Sequence, residues 1–237
     1  MKTKQIKKPI LLAPVRDEIS FTAAIKAGAD AVYFGIGELN MRLSSRGISL
    51  ARLPFFVKKA HQKNVLVYIT LNVIVYENEL KRLEQILKKI KKSGVDAVII
   101  SDFAIISLCQ KLKIPFHLST QVNISNSSEV KFFEKLGAKA VVLTRECTLS
   151  QIKEIKKKSK IKIEMFVHGA MCVSVSGRCY MSQFTSCKSA NRGECMQPCR
   201  REYEIRDTQT GDDLIIGKGY VMSPKDLCTL KILDKVI

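Results

Sequence analysis

Three short stretches of this chain share one grammar: Ala27-Gly28-Ala29-Asp30-Ala31-Val32, Ser93-Gly94-Val95-Asp96-Ala97-Val98 and Leu136-Gly137-Ala138-Lys139-Ala140-Val141. In each, a glycine stands where a helix should stop and an apolar run follows at once. Glycine suits the left-handed position after a helix because it has no Cβ to clash there. A unit in which a helix ends and a buried strand begins a few residues later, repeated along a chain, gives either an open doubly wound sheet or a closed (β/α)8 barrel.

Seven runs fit the strand part of the unit: 10–14, 31–35, 65–71, 97–101, 116–120, 140–144 and 163–168. Each is almost wholly apolar, as parallel strands covered on both faces must be. Between them lie amphipathic segments such as 77–92, which sets Leu80, Leu83, Ile86, Leu87 and Ile90 on one helical face. No Gly-x-Gly-x-x-Gly follows the first run and no Walker-type Gly-Lys-Ser/Thr occurs, which disfavours a nucleotide-binding doubly wound sheet. Seven such strands in about 160 residues predict an α/β TIM-barrel-like (β/α)8 fold. An eighth parallel strand is not evident before Ile237, so the barrel reads as incomplete or as finished by a segment from elsewhere. The organisation expected is βα repeats over 1–168, a Cys-rich segment over 169–202 and a tail over 203–237. The tail shows β-like pieces around Asp212-Asp213 and a helical pattern over 224–236.

Forty Lys and Arg against 22 Asp and Glu give a formal charge of +18, which favours polyanionic partners, although a lysine-rich composition alone can produce it. A basic surface is expected around Lys153, Lys156, Lys157, Lys158, Lys160 and Lys162, which also read as an ordinary solvated helix face. With 46% hydrophobic residues the chain can build a core, yet no apolar run approaches the roughly 18 residues that span a bilayer. The opening Met1-Lys2-Thr3-Lys4 imitates a signal peptide, but the apolar stretch after it runs straight into Arg16-Asp17-Glu18 and reads better as a first strand. A cytoplasmic location is the expectation, with no membrane partner. In a reducing compartment, clustered thiols hold metals or do redox chemistry more often than they form structural disulfides.

Six of the eight cysteines, Cys172, Cys179, Cys187, Cys195, Cys199 and Cys228, fall within the last 66 residues of the chain. Cys109 sits in an apolar helical stretch and reads as packing; Cys147 follows a strand and is ambiguous. Setting Cys187 aside, the spacing is Cys172-x6-Cys179-x15-Cys195-x3-Cys199. Four thiolates are the complement of an iron–sulfur cluster or a structural zinc. Only Cys195 and Cys199 have the close pairing usual for zinc, so spacing leaves a 4Fe-4S cluster, zinc and unligated thiols open, the first favoured. Arg178, Arg192, Arg200 and Arg201 surround these cysteines and could stabilise a dianionic cluster or contact phosphate or carboxylate.

The strand ends are polar: Asn72, Ser101-Asp102, Ser119-Thr120-Gln121, Thr144-Arg145-Glu146 and His168. Barrel chemistry gathers where strands end, so these residues point to a pocket for a polar or anionic small molecule. Ser101, Asp102 and Thr144 read equally as helix caps. Arg145 or Arg178 could hold a carboxylate, His168 could transfer a proton, and Asn72, Gln121, Glu146 and Arg200 could contact substrate. No Gly-x-Ser-x-Gly elbow, aspartyl dyad or His-Glu-x-x-His helix is present.

Glu164-Met165-Phe166-Val167-His168-Gly169-Ala170-Met171-Cys172, followed by Ser176-Gly177-Arg178-Cys179-Tyr180-Met181-Ser182, resembles the signature of peptidase family U32, the collagenase-like proteases. Asn191-Arg192-Gly193-Glu194-Cys195-Met196-Gln197-Pro198-Cys199-Arg200 and Met222-Ser223-Pro224-Lys225-Asp226-Leu227-Cys228 extend the likeness, and the subgroup looks like the tRNA uridine 5-hydroxylation proteins. The resemblance implies a (β/α)8-like barrel bearing a 4Fe-4S cluster on Cys172, Cys179, Cys195 and Cys199, with Cys228 in reserve as the fourth ligand. It implies oxygen-independent hydroxylation of tRNA, ribosomal RNA or a quinone precursor, tRNA being favoured, with prephenate as hydroxyl source. It also implies that the eighth strand and a C-terminal domain of longer members lie beyond this sequence. The alternatives are proteolysis, as the family name says, or a non-catalytic subunit that meets a protein partner completing the barrel.

Overall fold

The computed structural model of the protein describes residues 8–37, 39–41, 48–175, 178–214, 222 and 226–237. All seven predicted runs become strands: β1 (Leu12–Pro14), β2 (Ala31–Gly35), β3 (Leu66–Leu71), β4 (Ala97–Ile100), β5 (Phe116–Leu118), β6 (Ala140–Val142) and β7 (Lys162–Glu164). Between successive strands come α1 (Glu18–Lys26), α2 (Leu53–His61), α3 (Leu80–Lys92), α4 (Phe103–Leu112), α5 (Ser127–Lys135) and α6 (Leu149–Lys157). Every adjacent pair is parallel and the strand order is the chain order. A doubly wound sheet reverses its order at a switch point. This sheet never does, and it curls into a half-barrel with β1 and β7 at its two edges. Among the described residues no eighth strand joins it.

The local chemistry explains the regularity. Asp17, Asp102, Asn126 and Thr148 cap α1, α4, α5 and α6, each side-chain oxygen accepting a backbone N–H of the first turn. The repeated glycines close the units: Gly28, Gly94 and Gly137 have φ of +87°, +79° and +95°, a region a Cβ would strain. Outward-facing strand residues, including Val32, Phe34, Val67, Ile69, Leu71, Val98, Ile100 and Leu118, pack beneath the helices against Phe21, Phe56, Leu83, Leu87, Ile90 and Ile105. On α3 the predicted stripe is realised: Leu83, Leu87 and Ile90 are fully buried, while Leu80 and Ile86 flank them half-buried. The concave face holds a smaller apolar cluster of Ala31, Tyr68, Ala97 and Ile99.

Beyond β7 the character changes. The parallel ladder stops at Glu164 rather than running to His168. The backbone N–H and hydroxyl of Thr229 both donate to the Val167 carbonyl, at 2.9 and 3.0 Å, and draw 167–169 onto the tail. His168 therefore lies in β8 (His168–Gly169), exposed, and not at the end of a barrel strand. Then follow α7 (Met181–Ser186), the β9 (Ile205–Arg206) and β10 (Asp213–Leu214) ribbon foreseen near Asp213, β11 (Leu227–Cys228) and α8 (Leu233–Val236). β11 runs antiparallel to β8 with Cys228 opposite His168. The helix expected over 224–236 is confined, among the described residues, to a 3-10 turn at Leu230–Ile232 and to α8; 224 and 225 lie outside them. Ser176 and Gly177 of the motif also lie outside. No described helix is long and apolar enough to cross a membrane.

Candidate functional site

The polar residues that close β3 and β5 meet one another at the mouth of the half-barrel. Asn72 Nδ2 donates to Ser119 Oγ at 3.3 Å and to Gln121 Oε1 at 3.1 Å, and Asn72 Oδ1 accepts the Met41 N–H at 3.3 Å. Ser119 also donates to Gln121 Oε1. Thr144 donates to the exposed Glu146 carboxylate after β6. Asp102 accepts the N–H groups of Ala104 (2.8 Å) and Val75 (3.0 Å), so its work is to cap α4 and pin the loop after β3. Arg145 donates from Nη1 to the Ala170 carbonyl at 2.6 Å and lies 4.1 Å over the Phe166 ring. It thereby fastens the exit of β7 to the rim, a cation–π contact reinforcing a charge-assisted hydrogen bond.

Side chains alternate along a strand, so the concave face beneath this rim is lined by every second residue. Tyr68, His117 and Glu164 are titratable groups on it that the sequence alone does not single out. Tyr68 and His117 meet edge to face with ring centroids 4.6 Å apart. Burial, with the charge of Lys162 added, holds the His117 imidazole neutral, its pKa brought down to about 4. His117 Nδ1 is buried and has no hydrogen-bond partner among the described residues. Burial pushes the Glu164 carboxyl up to about 7, and burial together with the carboxylates of Asp96 and Glu164 pushes the Tyr68 phenol up to about 12. Period-two alternation inside a run that is apolar on both faces was the available signal: His117 interrupts an otherwise apolar strand.

The cysteine segment is tied to the same rim by Arg192. Its guanidinium grips Glu79 through Nη1 (2.9 Å) and Nη2 (2.5 Å), donates to the Ile74 carbonyl, and lies 4.9 Å over the Tyr76 ring. Burial disfavours the Glu79 charge, but the Arg192 and Tyr76 N–H donors outweigh it and hold the carboxyl below its ordinary value. Within the segment, Asn191 Oδ1 accepts the Cys179 N–H at 3.1 Å, the Met181 N–H points at Cys179 Sγ at 3.4 Å, and Cys172 Sγ lies 3.1 Å from Ser174 Oγ. Ser182, buried in α7, directs its hydroxyl to Cys195 Sγ at 4.0 Å and accepts the Met196 N–H at 3.0 Å.

Cys199 stands among the other three. Its thiol is pushed up first by partial burial and then by the neighbouring sulfurs of Cys172, Cys195 and Cys179, with Arg200 offsetting them. Sulfurs with N–H and O–H donors aimed at them, beside a thiol that lies within reach of their charge, are chemically suited to a group bound by thiolates. Among the described residues, no three His, Cys, Asp or Glu side chains stand in ligating positions around one point. Cys228 is exposed in β11, brought near the Cys199 turn by the 2.7 Å Arg200–Asp226 pair. Arg178 is exposed, Cys187 is exposed at the C-terminus of α7, and Cys109 is buried in the core, its thiol raised to about 12 by burial. The lysines of α6 and its exit stand in solvent, Lys157 paired with Glu154 at 2.8 Å.

Comparison with known proteins gives consistent results. The family model described as peptidase family U32 matches residues 18–237. An uncharacterized protease of Methanocaldococcus jannaschii is 44% identical, covering 96% of this chain and 57% of its own length. A collagenase of Porphyromonas gingivalis is 38% identical, covering 96% of this chain and 58% of its own length. The tRNA hydroxylation protein P1 of Bacillus subtilis is 34% identical, covering 98% and 56% respectively. The chain thus spans less than two thirds of the length of the curated relatives it matches. Among solved structures, the U32 peptidase Mk0906 superposes with a TM-score of 0.58 at 13% identity, over 71% of this chain and 74% of that one, which supports the barrel-like fold.

Proposed function

The chain belongs to peptidase family U32, and from that premise we propose that it serves the oxygen-independent hydroxylation of RNA, with a wobble uridine of tRNA as the base modified. The observation that carries this reading is the attachment of the cysteine segment to the rim of the half-barrel through the Arg192–Glu79 pair, with the Met181 N–H and the Ser182 hydroxyl directed at the sulfurs of Cys179 and Cys195. In the proposal Cys172, Cys179, Cys195 and Cys199 hold a 4Fe-4S cluster, whose contribution when bound is one-electron transfer. The names of relatives that hydroxylate tRNA and rRNA support the substrate class.

The remaining roles belong to the chain's own side chains. Arg178, exposed between Cys172 and Cys179, is the proposed partner of a small carboxylate, prephenate, since a guanidinium can grip a carboxylate bidentately. Asn72 and Gln121 form a fixed polar edge across the mouth, and Glu146 borders it. His168 stands in solvent at the start of the cysteine segment and is the proposed proton-transfer group. Arg145 and Arg200 hold their own segments in place through Ala170 and Asp226.

The test is iron and sulfide quantification on anaerobically prepared protein, with mass spectrometry of tRNA from a deletion strain. Brown protein with about four irons per chain and loss of 5-hydroxyuridine are the expected results. Colourless protein holding one zinc, or unchanged 5-hydroxyuridine, would overturn the reading. The collagenase relative favours proteolysis as a second reading. Steady gelatin cleavage by metal-free protein, lost on Cys172→Ala, would establish it in place of the first.

A further inference from the structure

Helix α7 is turned inside out. A surface helix ordinarily buries its apolar side chains and shows its polar ones. Here Ser182 is buried against Cys195 and Met196, while Phe184 is 92% exposed and Tyr180 76% exposed. The Phe184 N–H bonds the Tyr180 carbonyl at 2.9 Å, so the two rings stand one turn apart on the same outward face. Tyr180 directly follows Cys179, and the face therefore adjoins the sulfur group.

The charge around this face is positive on balance, although Lys188 is paired with Glu194 at 3.4 Å and Arg192 and Arg200 are engaged by Glu79 and Asp226, which leaves Arg178 and Arg201 as its exposed border. Residues 178–203 carry five basic residues, Arg178, Lys188, Arg192, Arg200 and Arg201, against Glu194 and Glu202. Arg178, Lys188 and Arg201 are exposed, and the Lys188 N–H bonds the Ser182 carbonyl at 3.2 Å, which holds Lys188 beside α7. Two outward aromatic rings within a basic border match a ligand with flat apolar faces on an anionic backbone, which is single-stranded nucleic acid. Resting on the RNA reading above, we propose that Tyr180 and Phe184 form a stacking platform for an unpaired RNA base next to the cysteine centre. Stacking there fixes the strand while a neighbouring nucleotide reaches the barrel mouth. The platform accepts any base by its π-face, so it confers preference for single strands and none for sequence.

The chain has no tryptophan, so Phe184→Trp installs a sole reporter at the platform. The experiment measures fluorescence anisotropy with a short single-stranded oligoribonucleotide and with a duplex of equal length, using full-length protein. Wild type should prefer the single strand. Tyr180→Ala with Phe184→Ala should weaken single-strand binding about five- to hundredfold and leave duplex binding within about twofold. Phe184→Trp should retain affinity and lose emission as RNA is added. If wild type binds the RNA but the double alanine variant binds equally and the tryptophan is unmoved, the platform is overturned and the RNA reading stands. If wild type binds no RNA, both fall. If wild type self-associates and the double variant does not, the face is a protein interface and the proposal is overturned.

Discussion

Phe21, Phe56, Leu83, Leu87, Ile100 and Leu118 are wholly withdrawn from solvent in the half-barrel, whereas beyond Glu164 the buried positions among the described residues are Ser182, Ala190, Gly193, Pro198 and Thr229. The first region has a core that pays for its own conformational entropy. Among its described residues the second has no large buried hydrophobe, and it is held by directional contacts: Arg192 to Glu79, Arg145 to Ala170, Arg200 to Asp226 and Thr229 to Val167. Small regions without a core commonly rely on a metal or on covalent staples. The comparison teaches that the cluster proposed above would serve the second region structurally as well as chemically, and that the two regions should fail independently.

The largest effect expected is on the second region. Cys179→Ala should bleach the anaerobic protein and open 165–237 to limited proteolysis while the barrel stays intact. Phe56→Ala should do the converse, costing the barrel about 3–5 kcal/mol in urea unfolding and leaving the colour of the surviving folded protein unchanged. Cys109→Ala, a smaller deletion in the same core, should also keep the colour. A single cooperative transition for colour and barrel in all three variants would break the comparison.

The concave face offers a second way to sharpen it, because its titration belongs to the barrel alone. Glu164 is raised from 4.5 to about 7, so the stability of its neutral form is complete below pH 4.5 and is lost as pH rises through about 7. His117 is lowered from 6.5 to about 4, so its contribution is complete above pH 6.5 and is lost as pH falls through about 4. The two slopes oppose each other in the native protein. In Glu164→Gln the barrel should gain stability from pH 4 to 6.5, and in His117→Gln it should lose stability from pH 4.5 to 7. Each swing is at most about 3 kcal/mol, read from urea midpoints across pH. A flat profile in both variants would remove these groups from the energetics of the fold.

Arg192 tests the joint between the regions. Arg192→Ala leaves Glu79 partly buried without its partner and should loosen 165–237 by about 1–3 kcal/mol, seen as faster amide exchange there and little change within the core strands. Since the Glu79 carboxyl is held below 4.5, the native tether should weaken only as pH falls below that value. Exchange that rises equally in β3 and in α7 would show that the two regions unfold as one.

The difference between the regions also decided what could be read from sequence. Buried parallel strands announce themselves as apolar runs, and the glycines Gly28, Gly94 and Gly137 mark unit boundaries by a constraint that is local to the backbone, so the half-barrel was legible almost residue by residue. The cysteine segment could be recognised by spacing, but its attachment could not: Arg192 and Glu79 are 113 residues apart, and nothing local pairs them. The end of β7 was overrun for the same reason, since the apolar run continues past Glu164 while a distant threonine takes the Val167 carbonyl. His117 and Glu164 escaped because a run apolar on both faces hides which of its residues turn inward.

The smallest effect is the most discriminating, because it applies one chemical change to both regions. Gly137, at φ +95°, ends α5, and Gly193, at φ +90°, ends the 3-10 turn that leads to Cys195. Alanine in a left-handed conformation costs about 1–2 kcal/mol wherever it occurs. Around Gly137 an added Cβ would meet only the Phe116 ring at 4.0 Å, so the penalty there is one of backbone strain. Gly137→Ala should therefore lower the midpoint of the barrel transition by that amount, because α5 unfolds with the core. Gly193→Ala should leave that midpoint where it is and accelerate amide exchange, and loss of colour in air, across 190–199. Equal shifts of the barrel midpoint by the two substitutions would mean that the cysteine segment is part of the barrel's cooperative unit, and the division drawn between a packed region and a tethered one would have to be abandoned.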